Sequence, residues 1–116
     1  MMANKTLNFN QLQRPVLELT MMDKDQTVIN VTTPTMDLLE ELETALPQFE
    51  ATAKEGNKAA VQAIYDLAAR LISCNLSFIS VTAEELRTKY RMGLDYMQVF
   101  FSAYMDFVSG IYNQKN

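Results

Sequence analysis

The chain predicts an α+β domain that is mostly α: an N-terminal β-hairpin packed on a bundle of four to five helices. Three observations carry this. Two short stretches near the N-terminus, residues 14–20 (RPVLELT) and 26–32 (QTVINVT), alternate with period two and are rich in strand formers. From Thr33 and Pro34 onward the apolar residues recur every three to four positions instead. A length of 116 residues suits one core of modest size. The division expected is an arm over residues 1–13 and a single domain over 14–116, with the hairpin in 14–32 and helices in 33–113.

The arm is rich in Asn and Gln, with Leu7, Phe9 and Leu12 as its apolar anchors. Such a segment orders on a partner more readily than alone. In the hairpin, Leu17 and Leu19 alternate with Val16, Glu18 and Thr20, and residues 21–25 (MMDKD) end in a polar tip suited to a turn. Pro15 lacks an amide hydrogen and belongs at a strand start or an edge. Thr33 fits a helix N-cap and Pro34 the first helical position. Met36, Leu39, Leu42, Leu46 and Phe49 form the apolar stripe of that helix, which Pro47 should kink or divide. Gly56 and Asn57 break the pattern, and Asn57 can cap a second helix whose buried face is Val61, Ile64, Leu67, Ala68, Leu71 and Ile72. Residues 75–81 (NLSFISV) suit either a third strand or a buried loop. Thr82 and Glu85 make a capping box that opens a helix through Tyr90.

The last helix, residues 94–112, is the most apolar. Leu94, Met97, Phe101, Tyr104, Val108 and Ile111 form one stripe, and Tyr96, Phe100, Ala103 and Phe107 a second beside it. At roughly 100° per residue the two merge into an arc of about 200°, twice the width one core requires. That width predicts a central helix that is either sandwiched between other helices of its own chain or lends part of its surface to another subunit. Eight methionines tip this toward the latter, because their side chains repack readily. Tyr96, Met97, Phe100, Tyr104, Met105 and Phe107 are the expected contact residues, with Leu7 and Phe9 of the arm as a second set.

Composition narrows the chemistry. The chain has no histidine, three glycines and one cysteine. Histidine-based catalytic triads, Cys/His zinc sites, glycine-rich phosphate loops and disulfide frameworks are therefore excluded. A net charge of −4 is the wrong sign for a general binder of nucleic acid or anionic membrane. Residues 1–10 have no apolar run of the kind a signal peptide needs, and no stretch approaches the roughly 18 apolar residues of a membrane span. These features predict a reduced, intracellular protein without cofactor or metal. Asp23 and Asp25 lack the remaining ligands of a calcium loop and read as turn residues. Glu40, Glu41 and Glu43 read as a solvated face rather than a hydrolytic pair. Arg87, Lys89 and Arg91 form the one basic cluster, with Glu84 and Glu85 placed to pair with it. Cys74 reads as a buried structural thiol.

The order of LNFN, RPVLELT, a hairpin, TTPT before an acidic helix, VTAEEL and FFSAYMDFV ending in NQKN resembles the tail assembly chaperones of long-tailed (siphovirus-type) phages and prophages of Gram-positive hosts. The likeness spans nearly the whole chain and rests most on Thr32 to Thr35 and Phe100 to Val108. It implies a non-catalytic protein of the host cytoplasm that coats the tape measure protein while the major tail tube protein polymerises around it, acting as a homo-oligomer. It also implies a second, longer product made by a minus-one frameshift, since Gln114, Lys115 and Asn116 can be written CAA-AAA-AAC, which contains the slippery heptamer A-AAA-AAC. A structural head–tail connector or tail completion protein is the main alternative. A carboxylate hydrolase or a transcriptional regulator fits less well.

Overall fold

The computed structural model describes residues 15–55 and 58–112, and the side chains of 15–49 and 58–111. The elements are β1 (Leu17–Thr20), β2 (Val28–Val31), α1 (Met36–Glu55), α2 (Lys58–Ile72), α3 (Ala83–Arg87) and α4 (Leu94–Tyr112). The architecture is thus mixed α+β and mainly helical, with one two-stranded sheet and four helices among the described residues. The arm, with Leu7 and Phe9, the Asn57 cap and residues 113–116 lie outside the described residues.

β1 and β2 pair antiparallel in the register Leu17–Val31, Glu18–Asn30, Leu19–Ile29 and Thr20–Val28. Period two then does its work: Ile29 and Val31 are fully buried, while Glu18 and Thr20 face solvent. The Met21 amide donates to the Thr27 carbonyl at 2.8 Å and the Gln26 amide to the Asp23 carbonyl at 3.0 Å. Asp23 binds Thr27 twice, accepting from its amide at 2.8 Å and from its hydroxyl at 2.5 Å. These two donors hold the Asp23 carboxyl below the usual aspartate range.

The first helix begins two residues later than its sequence cap suggested. The Thr35 hydroxyl, not that of Thr33, accepts from the Leu38 amide at 3.2 Å, and the Thr35 carbonyl from the Leu39 amide at 2.9 Å. Pro34 precedes that cap and is buried. Met36 consequently sits in the first turn, 63% exposed, and Leu38 replaces it in the core. α1 runs as one helix through Pro47, which supplies no amide for the Glu43 carbonyl.

α2 is the hub. It packs against β2, α1, α3 and α4, and buries Ile64, Tyr65, Leu67, Ala68, Ala69, Leu71 and Ile72. The expectation that the final helix is central is corrected here. Small residues at 68 and 69 let neighbours approach two sides of α2, which a Leu-only stripe would not.

Residues 75–81 form neither a third strand nor a plain loop. One isolated bridge joins Val31 to Asn75, and the rest is held by Asn75 itself. Its side-chain amide donates to the Ile72 and Ile79 carbonyls, both at 2.8 Å. Its side-chain oxygen accepts from the Ser77 and Ile79 amides at 3.1 and 2.9 Å. Four bonds are the full capacity of an asparagine side chain, and only 7% of this one is exposed. The Ser73 hydroxyl ties off the same loop, donating to the Val81 carbonyl at 3.1 Å and accepting from its amide at 2.9 Å. The loop then meets the sheet. The Thr32 amide donates to the Cys74 carbonyl at 2.8 Å and the Leu76 amide to the Asn30 carbonyl at 3.1 Å.

The capping box forms as predicted: Thr82 accepts from the Glu85 amide at 3.1 Å, and Glu85 from the Thr82 amide at 3.0 Å. α3 stops at Arg87 rather than Tyr90. The Met92 amide reaches back to the Leu86 carbonyl at 2.8 Å while Arg91 takes a left-handed φ of 55°, a turned helix end that re-aims the chain into α4.

Asn75→Ala strips partners from two amides and two carbonyls. It should lower stability by about 2–3 kcal/mol, read as a reduced urea midpoint at unchanged slope. Asp23 contributes stability that is complete above the unfolded carboxylate pKa of about 3.9 and is lost as pH falls through its lower folded value. NMR titration of the side-chain carboxyl should place Asp23 below the ordinary range, and Thr27→Val should move it back up.

Candidate interaction surface

α4 is launched from a well-anchored point. The Tyr65 hydroxyl donates to the Met92 carbonyl at 2.6 Å, and the Gly93 carbonyl accepts the first helical bond from Met97 at 3.0 Å. Along the helix the aromatic rings form a ladder. Phe49 of α1 meets Phe101 edge-on at 4.8 Å between centroids, Phe101 meets Phe100 at 5.2 Å, Phe100 meets Tyr104 at 5.6 Å, and Tyr104 meets Phe107 at 6.1 Å. Such edge and tilted contacts add to the burial of the rings.

This ladder divides the expected contact residues. Met97, Phe100 and Tyr104 are core residues, with Tyr104 fully buried; of the three, only Met97 reaches an open surface, at the wall of a groove. Met105 and Phe107 are half-buried, and Tyr96 is 47% exposed. The placement of Phe100 and Tyr104 on a contact surface is therefore corrected. The reason is that α1, α2 and the segments beside them enclose more of the apolar arc than a single flat neighbour would.

What remains open lies on two edges of α4. On one, Val99 is 65% exposed beside Tyr96. Val99 is an apolar residue set within the polar arc of Asp95, Gln98, Ser102 and Asp106, and that interruption was visible in the sequence. On the other, α1 and α4 diverge and leave an apolar groove of about 620 Å³. Its α1 wall is Leu46, Pro47 and Phe49; its α4 wall is Leu94, Met97, Phe101 and Met105, with Gln98 and Ser102 at the lip and Ile64 of α2 at the floor. Volume, apolar lining and a few polar atoms at the edge are the ordinary features of a site that takes a peptide or ligand.

A second apolar feature sits away from α4. Phe78 is 90% exposed, at a left-handed φ of 58°, with Leu76 and Val28 also exposed. A bulky aromatic in that backbone region is strained, and here the Asn75 bonds on either side impose it. The unusual apolarity of residues 76–81 was the signal in the sequence.

The charged clusters are otherwise engaged. Arg87 donates to the Gln62 side-chain oxygen at 2.5 Å and lies over the Tyr65 ring at 4.7 Å. Lys89 lies 5.1 Å from the Tyr90 ring centre, and its hydrogen bond with the Tyr90 side chain pushes its pKa up. Arg87 and Lys89 thus rest against aromatic rings, and Glu85, held in the capping box, still attracts Lys89. Glu41 binds Arg70 at 2.7 Å on the surface. Cys74 is half-buried rather than buried, its thiol donating to the Arg70 carbonyl at 3.5 Å. Among the described residues no three acidic or cysteine side chains converge as a metal site would require, and no helix is long and apolar enough to cross a membrane.

Phe78→Asn should raise stability by about 0.5–1 kcal/mol in thermal or urea unfolding, since asparagine tolerates positive φ. Phe78→Val, branched at Cβ, should lower it. Compared with protein family models, curated proteins and solved structures, the chain matches none.

Proposed function

We propose that the protein is a non-catalytic phage tail assembly chaperone that acts in the host cytoplasm. It masks apolar helical stretches of the tape measure protein and helps recruit subunits of the major tail tube protein. The observation that carries this reading is the open apolar groove between α1 and α4. A long helical partner without its tube exposes apolar stripes that aggregate, and a groove of this kind covers one such stripe by helix-in-groove packing. The sequence likeness to tail assembly chaperones supplies the partner's identity. Each site is short compared with a tape measure, so several copies act along one partner molecule.

Relative to the sequence reading, the contact surface shifts toward the groove walls. Leu46, Phe49 and Met105 are the residues that meet the partner in the groove, while Tyr96, Val99 and Phe107 lie around the other side of α4.

Co-expression with the large helical protein encoded nearby tests the reading. The tape measure protein should stay soluble only with this chain present, and Met105→Asp should abolish that protection while circular dichroism shows helical content retained. Mass spectrometry of purified virions should find the chain missing. Its presence there at fixed copy number would identify a connector or completion protein instead.

A further inference from the structure

The sheet has one open side. The Met21 amide donates to the Thr27 carbonyl at 2.8 Å, and in an antiparallel ladder such bonded pairs alternate with unbonded ones. Leu19–Ile29 and Leu17–Val31 are therefore the bonded pairs, and the backbone groups of Glu18 and Thr20 point away from β2. The far edge of β2 is occupied: its Asn30 carbonyl accepts from the Leu76 amide, and the Thr32 amide just beyond it donates to the Cys74 carbonyl. The edge of β1 has no such cover. Among the described residues the amides and carbonyls of Glu18 and Thr20 have no hydrogen-bond partner, and both residues are exposed. The core face is unfinished on the same side. Ile29 and Val31 are fully buried, whereas Leu17 and Leu19, opposite them on that face, are only half-buried. An unpaired edge beside partly uncovered leucines is a template for one more strand.

Independently of the chaperone reading, we propose that the β1 edge takes residues 6–10 (TLNFN) from the arm of a second copy of this chain, as an antiparallel strand. The segment alternates as β1 does, with Leu7 and Phe9 set between Thr6, Asn8 and Asn10. Pairing Glu18 with the second copy's Asn8, and Thr20 with its Thr6, satisfies every outward backbone group of the two β1 residues. The same register sets Leu7 beside Leu19 and Phe9 beside Leu17 on the core face, and gathers the polar side chains on the other. A slip of one residue would turn Phe9 out to water, so the pattern fixes the register. The segment carries no charge, and Glu18 meets no second carboxylate. Residues 1–14 reach about 45 Å when extended, enough to cross to a neighbouring molecule. Folding back onto its own β1 in this register would leave the reversal to residues 11–14 (QLQR), which contain neither glycine nor proline.

Sedimentation velocity and amide hydrogen exchange on the full chain test this. The mass should rise above that of one chain as concentration increases, and exchange at the Glu18 and Thr20 amides should slow over the same range. Thr20→Pro removes an outward amide, which an edge strand tolerates without losing its own ladder, and should weaken association about tenfold or more. The arm variant Leu7→Asp, Phe9→Asp leaves every described residue unaltered and should weaken it as much. Each variant keeps the half that the other has lost, so an equimolar mixture should associate more tightly than either alone. A monomer at every concentration overturns the proposal; protection of the two amides in that monomer would mark an arm folded back on its own strand. Association insensitive to the arm variant also overturns it, because β1 would then pair with β1 or another surface would carry the contact. So does a mixture that gains nothing while Thr20→Pro keeps its circular dichroism spectrum. If that variant unfolds, the arm variant and the exchange of the native chain decide. The groove between α1 and α4 takes no part in this contact, so protection of the tape measure protein stands or falls separately.

Discussion

Asn75 holds the pieces of this domain in one arrangement. Its side chain terminates α2 at the Ile72 carbonyl, folds residues 77–79 around itself, and sits opposite Val31 at the edge of the sheet. A buried amide with an unmet donor or acceptor would cost more than any single bond returns, so this site tolerates little but asparagine. The hairpin alone, with four residues in each strand, would be marginal in water. Docked through Thr32, Leu76 and Asn75 onto the end of α2, it becomes one wall of the core. The exposed, strained Phe78 is a consequence of the same network, since the backbone between two Asn75 bonds has few conformations left to it.

From that joint the hierarchy runs through α2. With neighbours on several sides, it buries seven of its fifteen residues, including the pair Ala68 and Ala69 where close approach needs small side chains. Tyr65 extends its reach, binding the Met92 carbonyl and carrying Arg87 over its ring. α4 is thereby held against α2 at its start, and the aromatic ladder continues the contact toward α1 through Phe49. α1 meets α4 chiefly through that ring pair. Beyond it the two helices part, and the groove is the space they leave.

Function and stability therefore draw on the same helix in different places. Tyr104 and Phe100 support the fold from within the core, whereas Met105, Val99 and Tyr96 keep surface open to another molecule, and Met97 serves both the core and the groove wall. The thioether of Met105 gives the groove wall a side chain that adjusts its rotamer at little cost.

Local patterns determined the hairpin, the existence and type of every helix, the capping box at Thr82 and Glu85, and the excess apolar width of α4. Each is written within a few residues of chain, where periodicity and cap chemistry act directly. Only the tertiary structure decided which half of that width is core. Burial of Phe100 and Tyr104 depends on neighbours distant in sequence, and no wheel drawn on α4 alone contains them. The same holds for the start of α1, where Thr35 caps in place of Thr33 with Pro34 buried, and for the cations that turned to Tyr65 and Tyr90. Asn75 is the clearest instance: in the chain it is one polar residue beside an apolar run, and its four partners exist only once α2, the loop and the sheet have met.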